Sequence, residues 1–144
     1  MKNSIYKLIV LILLFTGLSC SNKTKVYEEE ELFIKYLETF LKDDIQHDNY
    51  QLLTYRTKLI CKTCRQMPLD TVLERSVNEK GNMELYVLFD KQEDMLITKN
   101  LYGDKIYYLL GNENDMEKYG IPKTEPLLFT IDKNKITQCK YYTN

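Results

Sequence analysis

The sequence predicts an α/β fold in which helices cover a central sheet. Apolar residues at helical spacing alternate along the chain with short strand-like runs. The run "MELYVLF" (83–89) is continuous, as in parallel strands that are buried on both faces. The last two strand-like runs, "PLLFTID" and "KITQCKYY", are separated by the turn-like "DKNK". We therefore expect a three-layer fold: a mixed central sheet, helices on both faces and a C-terminal β-hairpin.

The first element, in "VYEEEELFIKYLETFLKDDI", is predicted to be an amphipathic helix. Apolar residues recur at i, i+3, i+4, i+7 and i+8, and their buried face comprises Phe33, Tyr36, Leu37, Phe40 and Leu41. The glutamates at 28–31 lie at its N-terminal end, where the helix dipole favours negative charge, and we interpret them as a solvated helix start. A strand follows, with apolar positions at Tyr50, Leu52, Leu53 and Tyr55.

The middle of the chain alternates helices with strands. "RQMPLDTVLERSVNEKG" has helical spacing, with Gly81 as a stop and Pro68 expected to bend the helix or delay its start. Its predicted inner face is Leu69, Val72, Leu73, Ser76 and Val77. "MELYVLF" is then predicted to be a central parallel strand, "QEDMLITKNLYG" a helix that ends at Gly103, "KIYYLL" a strand and "ENDMEKYG" a short helix.

The first nineteen residues have the features of an export signal. Lys2 and Lys7 flank the start of "LIVLILLFTGL", an apolar run of eleven residues, whereas a transmembrane helix needs about 20. "TGLSC" resembles a bacterial lipoprotein cleavage box, which implies lipidation of Cys20; the alternative is a plain secretory signal cut near the same place. We expect a signal peptide at 1–19, a lipidated N-terminus and tether at 20–31 and one domain at 32–144, anchored by lipid to a membrane of the cell envelope and facing the periplasm.

Charge and cysteine content limit the chemistry. Loss of the leader removes two of 20 basic residues, which leaves 20 − 2 = 18 against 21 acidic ones, so nothing attracts nucleic acid. In an exported protein disulfides persist, and the C-x-x-C pair Cys61 and Cys64 can be a redox couple, half of a metal site or a structural staple. Zinc wants four ligands, and the only further candidates are Cys139, which we expect to be buried on an edge strand, and His47. Their order in the chain does not suggest convergence, and we predict no metal and no cofactor.

A strand, a C-x-x-C, a helix and, much later, "YGIPKTEPLLFTIDKNKI" together resemble the thioredoxin fold and, within it, the TlpA-like periplasmic branch. In that branch a Tyr-Gly-Val/Ile stretch leads to a cis-proline and a "TxFxID" strand; the counterparts are Tyr119, Gly120, Ile121, Pro126, Phe129, Ile131 and Asp132. The extra strand and helix around 92–119 are similar to the insertion of this branch. The resemblance covers roughly residues 48–142. The chain departs from the family in having no acidic residue in the strand before the motif and in placing Glu125 before the proline.

The resemblance implies thiol–disulfide exchange with exported proteins, with a membrane or periplasmic thiol reductant or oxidant as partner. Cys61 would attack and Cys64 resolve, at a helix N-terminus whose dipole, together with Lys62, favours the thiolate. Pro126, Glu125, Lys62 and Thr63 are the implied substrate-binding residues, although the charge of Glu125 opposes the thiolate. The alternative is a non-catalytic thioredoxin-like binding lipoprotein with a structural or vestigial disulfide.

Overall fold

The computed structural model describes residues 27–56, 68–122 and 126–142. The leader, the cleavage box and Cys20 lie outside these ranges. Within them, no helix is long and apolar enough to cross a bilayer. The elements, in chain order, are α1 (Glu30–Tyr36), a π-helical turn (Leu37–Leu41), β1 (Asn49–Tyr55), α2 (Leu69–Glu79), β2 (Glu84–Phe89), α3 (Gln92–Tyr102), a 3₁₀ turn (Gly103–Lys105), β3 (Tyr107–Leu110), α4 (Glu113–Lys118), β4 (Leu127–Asp132) and β5 (Lys135–Tyr141).

The strands form one five-stranded mixed sheet in the order β3-β2-β1-β4-β5, so the predicted α/β class is confirmed. β2 runs parallel to both β1 and β3, while β4 runs antiparallel to both β1 and β5. The prediction of a central parallel strand at 83–89 is confirmed, because β2 has a parallel neighbour on each side and residues 85–89 are all buried.

Two apolar clusters lie on opposite faces of the sheet. The first packs α1, the π-helical turn and α4 against one face, through residues that include Phe33, Leu41 and Met116. The second packs α2 and α3 against the other face, through Val72 and Leu73 of α2 and, at its margin, Met95 of α3. The sheet is therefore covered by helices on both sides.

The folded unit begins before the predicted boundary at residue 32. Tyr27 is buried, and its hydroxyl donates to the carbonyl of Gly120 at 2.9 Å. The Glu30 carboxylate accepts from the backbone N–H of Ile136 at 2.9 Å. The folded unit thus includes residues predicted to be tether, because Tyr27 belongs to its core and Glu30 bonds to β5. Glu28, Glu29 and Glu31 are exposed, as expected of a solvated helix start.

One residue of the predicted inner face of the first helix is on the outside. Phe33, Tyr36, Leu37 and Leu41 are buried, but Phe40 is 43% exposed and its ring contacts the rim of the core, at Tyr36 and Tyr119. The reason is the change from α-helix to π-helix at Leu37. A π-helical turn contains more residues than an α-helical turn, so the side chains within it, Phe40 among them, no longer follow the 3.6-residue pattern.

The second helix behaves as its sequence predicts. Val72, Leu73 and Ser76 are buried, and Leu69 and Val77 pack at the edge of the same cluster. The helix ends at Glu79, shortly before Gly81, whose φ of +61° is a conformation that favours glycine. Pro68 has extended backbone angles (φ −55°, ψ 143°), so it delays the start of α2 to Leu69.

β4 and β5 are joined by Lys133 and Asn134, which both have positive φ, 48° and 60°. Two consecutive residues with positive φ match the twist of antiparallel strands and make the tight turn. β5 is an edge strand, and Cys139 on it is half-buried against the first cluster.

Candidate functional site

The strand that precedes the C-x-x-C pair lies beside the strand that follows Pro126. In the antiparallel register of β1 and β4, Thr54 is opposite Leu127, so Pro126 continues that register at the level of Tyr55, the last residue of β1. Pro126 is buried, and its carbonyl accepts from the backbone N–H of Tyr142 at 3.1 Å. Arg56, after which the chain continues to the cysteines, and Pro126 therefore lie at the same end of the sheet, the carboxyl end of β1.

Of the predicted site residues, the structure describes Pro126 alone. The remaining ones lie outside the described residues: Cys61, Lys62, Thr63, Cys64, Glu125 and Cys20. The Glu125–Pro126 peptide bond is outside them too, so the expected cis-proline stays a prediction. Among the peptide bonds of the described ranges, none is cis.

The expected position of the pair at a helix N-terminus stays a prediction, because Cys61 and Cys64 lie outside the described residues. α2 begins at Leu69, five positions after Cys64, because Pro68 is extended. Proline also disfavours helical angles in the residue before it. Since the influence of a helix dipole falls off within the first turn, the sequence position of the pair is no argument that the α2 dipole stabilises a thiolate.

A buried guanidinium lies at the carboxyl ends of the central parallel strands β1 and β2. The side chain of Arg56, the residue after β1, is 1% exposed, and that of Asp90, the residue after β2, is 2% exposed. Arg56 Nε donates to Asp90 Oδ2 at 3.4 Å, and Arg56 Nη1 donates to the carbonyl of Ile121 at 3.3 Å. Arg56 Nη2 lies 3.6 Å from Glu117 Oε1 and 3.7 Å from Glu113 Oε1, and it has no hydrogen-bond partner among the described residues. We call these five residues the Arg56 cluster.

The sheet and one helix bring the Arg56 cluster together. Tyr55 pairs with Phe89 in the parallel register of β1 and β2, so the residues that follow them, Arg56 and Asp90, are neighbours. Glu113 and Glu117 are four positions apart on α4 and therefore share one helix face. Sequence reasoning missed this cluster. A signal was present, because each of two apolar runs, "QLLTY" and "ELYVLF", is followed directly by a charged residue.

The Tyr-Gly-Ile stretch that contributes to the family resemblance has a defined local role: it ends α4. The N–H of Gly120 donates to the carbonyl of Glu117 at 3.1 Å, and the N–H of Ile121 donates to that of Met116 at 2.8 Å. This is a Schellman cap, and Gly120 has the positive φ (+70°) that the cap requires. The side chains of Ile121 and Met116 are buried in the same cluster. The cap directs the chain away from α4 and towards Pro126.

Tyr55 adds a hydroxyl at the same edge. Its side chain is half-buried. Burial raises the pKa of the phenol, and the carboxylates of Asp94 and Asp70 raise this pKa further. The hydroxyl is protonated at neutral pH, as an unperturbed phenol also is, and can donate a hydrogen bond from the last residue of β1.

The two further metal-ligand candidates lie elsewhere. His47 precedes β1, at the strand end opposite Arg56, and its Nδ1 is 2.7 Å from the hydroxyl of Tyr86. Cys139 lies on β5 opposite Phe129, two strands from β1. In the part of the chain that the structure describes, no three His, Cys, Asp or Glu side chains are grouped so as to hold a metal ion.

Comparisons with protein-family models, with curated proteins and with solved structures find no match to this chain. A function therefore has to be argued from the residues at the carboxyl edge of the sheet. The relevant features there are Pro126, Tyr55, the Arg56 cluster and the chain position of the C-x-x-C pair.

Proposed function

We propose that this chain is a thioredoxin-like, lipid-anchored thiol–disulfide oxidoreductase of the cell envelope that exchanges disulfides with exported proteins. The observation that carries the proposal is the position of Pro126 beside the carboxyl end of β1, the strand after which the C-x-x-C pair follows. A proline-led strand can face such a pair only if it lies beside the strand that leads into the pair. β4 lies there, although about 70 residues of chain separate the two positions along the sequence.

The order of elements gives further support. The unit β1, α2, β2 has parallel strands joined through a helix, and β4 and β5 complete the sheet on the other side of β1 in antiparallel orientation. The resemblance implies a strand, the C-x-x-C pair, a helix and a strand, then an insertion and a proline-led strand; α3, β3 and α4 lie where the insertion is expected. In open α/β sheets, ligand sites lie outside the carboxyl ends of the strands.

The proposed chemistry is a two-step exchange. The Cys61 thiolate attacks one sulfur of a partner disulfide, forms a mixed disulfide with it and releases the second partner sulfur as a thiol. The Cys64 thiolate then attacks the Cys61 sulfur, which releases the first partner sulfur and leaves a Cys61–Cys64 disulfide. The partner gains two electrons and two protons, and an envelope thiol reductant restores the pair; an oxidant drives the reverse direction.

The surrounding side chains have separate roles in this proposal. Lys62 favours the thiolate and Glu125 opposes it, both through charge. Backbone beside Pro126, together with Thr63, would hold the partner chain in extended form. Tyr55 would donate a hydrogen bond at the same end of the sheet, since its phenol is protonated at neutral pH. Lipidation of Cys20 would confine the domain to a membrane face, and the short apolar leader supports that part.

Reduction of insulin disulfides by dithiothreitol tests the proposal. The purified protein should accelerate this reaction, Cys61→Ser should abolish the acceleration, and Cys139→Ser, a matched control at the edge strand, should retain it. The proposed oxidoreductase activity would be refuted if the wild-type protein does not raise the rate of insulin reduction above that of dithiothreitol alone, or if the Cys61→Ser variant raises it as much as the wild type does.

One observation favours a second candidate, a non-catalytic thioredoxin-like binding lipoprotein with a structural disulfide. α2 begins only after Pro68, so this helix does not supply the first turn in which an activated cysteine was expected. The two candidates differ in their dependence on Cys61. If Cys61→Ser leaves the biological role of the protein unchanged while deletion of the gene removes it, the protein acts as a binding module and not as an oxidoreductase.

A further inference from the structure

We infer that Arg56 is a positioning residue that holds the chain after α4, at Ile121, against the carboxyl ends of β1 and β2; as a role in disulfide exchange, this rests on the proposed function. Arg56 belongs to the chain segment that continues into the C-x-x-C pair. Its guanidinium contacts the segment that continues into Pro126, at the carbonyl of Ile121. A single side chain thus joins the two parts of the proposed site.

A buried arginine needs such an explanation. Removing a guanidinium from water is costly, and buried ion pairs can often be replaced by apolar residues without loss of stability. The surroundings would accept apolar residues in place of both Arg56 and Asp90, because an apolar cluster already lies on this side of the sheet. Replacing Arg56 alone would remove the guanidinium that faces the buried Asp90 carboxylate. What an apolar side chain cannot supply is the directed contact with a backbone carbonyl in the loop.

The geometry of the contact requires arginine in particular. Nε is directed at Asp90, Nη1 at the carbonyl of Ile121, and Nη2 lies between the carboxylates of Glu113 and Glu117. The planar guanidinium presents these donors in a fixed arrangement, whereas the ammonium of lysine is a single point charge. Arg56 therefore links the end of β1, the end of β2, helix α4 and the loop after α4.

The loop is fixed on both sides of this contact. The carbonyl of Gly120 accepts from the hydroxyl of Tyr27 at 2.9 Å, and the carbonyl of Pro126 accepts from the N–H of Tyr142 at 3.1 Å. Loss of the Arg56 contact would release the carbonyl of Ile121, while the N–H of Ile121 stays bonded to the carbonyl of Met116 in the Schellman cap. A loop loosened there would place Pro126 less accurately beside β1, and binding of an extended partner chain should suffer before the reactivity of the thiols does.

The test compares Arg56→Lys with Arg75→Lys, a matched control at an exposed position of α2. Hydrogen exchange of the Gly120 and Ile121 amides, which bond within the Schellman cap, should be about tenfold faster in Arg56→Lys, while the amides of β2 stay protected. The KM for a disulfide-bonded polypeptide should rise about tenfold, while kcat and the alkylation rate of Cys61 by iodoacetamide change by less than about twofold. Arg75→Lys should match the wild type in all four measurements.

The possible results distinguish a positioning role of Arg56 from a merely structural one, and both from failure of the proposed function. Unchanged exchange at Gly120 and Ile121 would overturn the inference whatever the activity. Faster exchange with an unchanged KM, or with KM, kcat and alkylation altered together, would reduce Arg56 to a structural residue. A wild-type protein without reductase activity would remove the proposed function, and hydrogen exchange alone would then decide whether Arg56 holds the loop. If Arg56→Lys does not fold, Asp90→Asn, which weakens the anchor of Arg56, should give the same pattern at about threefold.

Discussion

Two buried tyrosines of the first cluster, Tyr27 and Tyr36, provide a matched pair for testing the polar contacts of the core. The Tyr27 hydroxyl donates to the carbonyl of Gly120 at 2.9 Å. The Tyr36 side chain is 1% exposed, and its hydroxyl has no hydrogen-bond partner among the described residues. This hydroxyl is packed so closely against Gly111 that a Cβ built there would lie only 2.5 Å from it. Replacement by phenylalanine removes the hydroxyl oxygen from each residue. In Tyr27 this oxygen is hydrogen-bonded, and in Tyr36 it has no partner among the described residues.

The expected effects have opposite signs. A buried polar group without a partner costs about 1–3 kcal/mol, so Tyr36→Phe should raise the free energy of unfolding by about 1 kcal/mol. A typical hydrogen bond contributes about 0.5–1.5 kcal/mol net, so Tyr27→Phe should lower the free energy of unfolding by about 1 kcal/mol. The two variants should therefore differ by about 2 kcal/mol, which in a domain of this size corresponds to a difference of about 6–10 °C in Tm.

Urea unfolding at pH 7, followed by circular dichroism, measures both values. The midpoint should move up for Tyr36→Phe and down for Tyr27→Phe, with the slope m unchanged in both, since m reports the surface exposed on unfolding. If Tyr36→Phe loses as much stability as Tyr27→Phe, the Tyr36 hydroxyl makes a bond that the packing around Gly111 does not indicate, and the reasoning is wrong.

Two more predictions concern the Schellman cap and alkaline pH. Gly120→Ala should lower the free energy of unfolding by about 2 kcal/mol, since a positive φ costs about 1–2 kcal/mol with a Cβ and the new methyl would displace the carboxylate of Glu29. Gly81→Ala, with a φ of +61° but open space around it, should lower it by about 1 kcal/mol. Equal losses of stability in thermal unfolding would contradict the displacement of Glu29. Burial raises the pKa of Tyr36 and Tyr50 from 10.0 to about 12. Stability linked to keeping these phenols neutral is therefore complete below pH 10 and should be lost between pH 10 and 12, at up to about 1.4 kcal/mol per pH unit for each. A urea midpoint that stays level from pH 9 to pH 11 would contradict this.

The sequence predicted best those elements whose pattern is local. The inner face of α2 follows from the helical spacing of Leu69, Val72 and Leu73, and its end follows from the conformational freedom of Gly81. β2 was recognisable because a strand buried on both faces is apolar without alternation. Phe40 was misplaced because the change to a π-helical turn at Leu37 breaks the period on which the prediction depended.

The Arg56 cluster could not be found by local pattern. Arg56, Asp90 and Glu117 come from two strand ends and a helix that are far apart in the chain, and they meet only through the register of β1 with β2 and the packing of α4. Pro126 is the opposite case. A resemblance singled it out, and the antiparallel register of β1 with β4 then places it at the carboxyl end of β1.

The reduction potential of the Cys61–Cys64 couple, measured by equilibration with glutathione or dithiothreitol buffers, tests the proposed exchange most directly. A pair that trades disulfides with other proteins should have a potential between about −270 mV, as in thioredoxin, and about −120 mV, as in a strong oxidant. A potential below about −300 mV is typical of structural disulfides and would contradict the proposed exchange, as would two thiols that form no disulfide in any of these buffers.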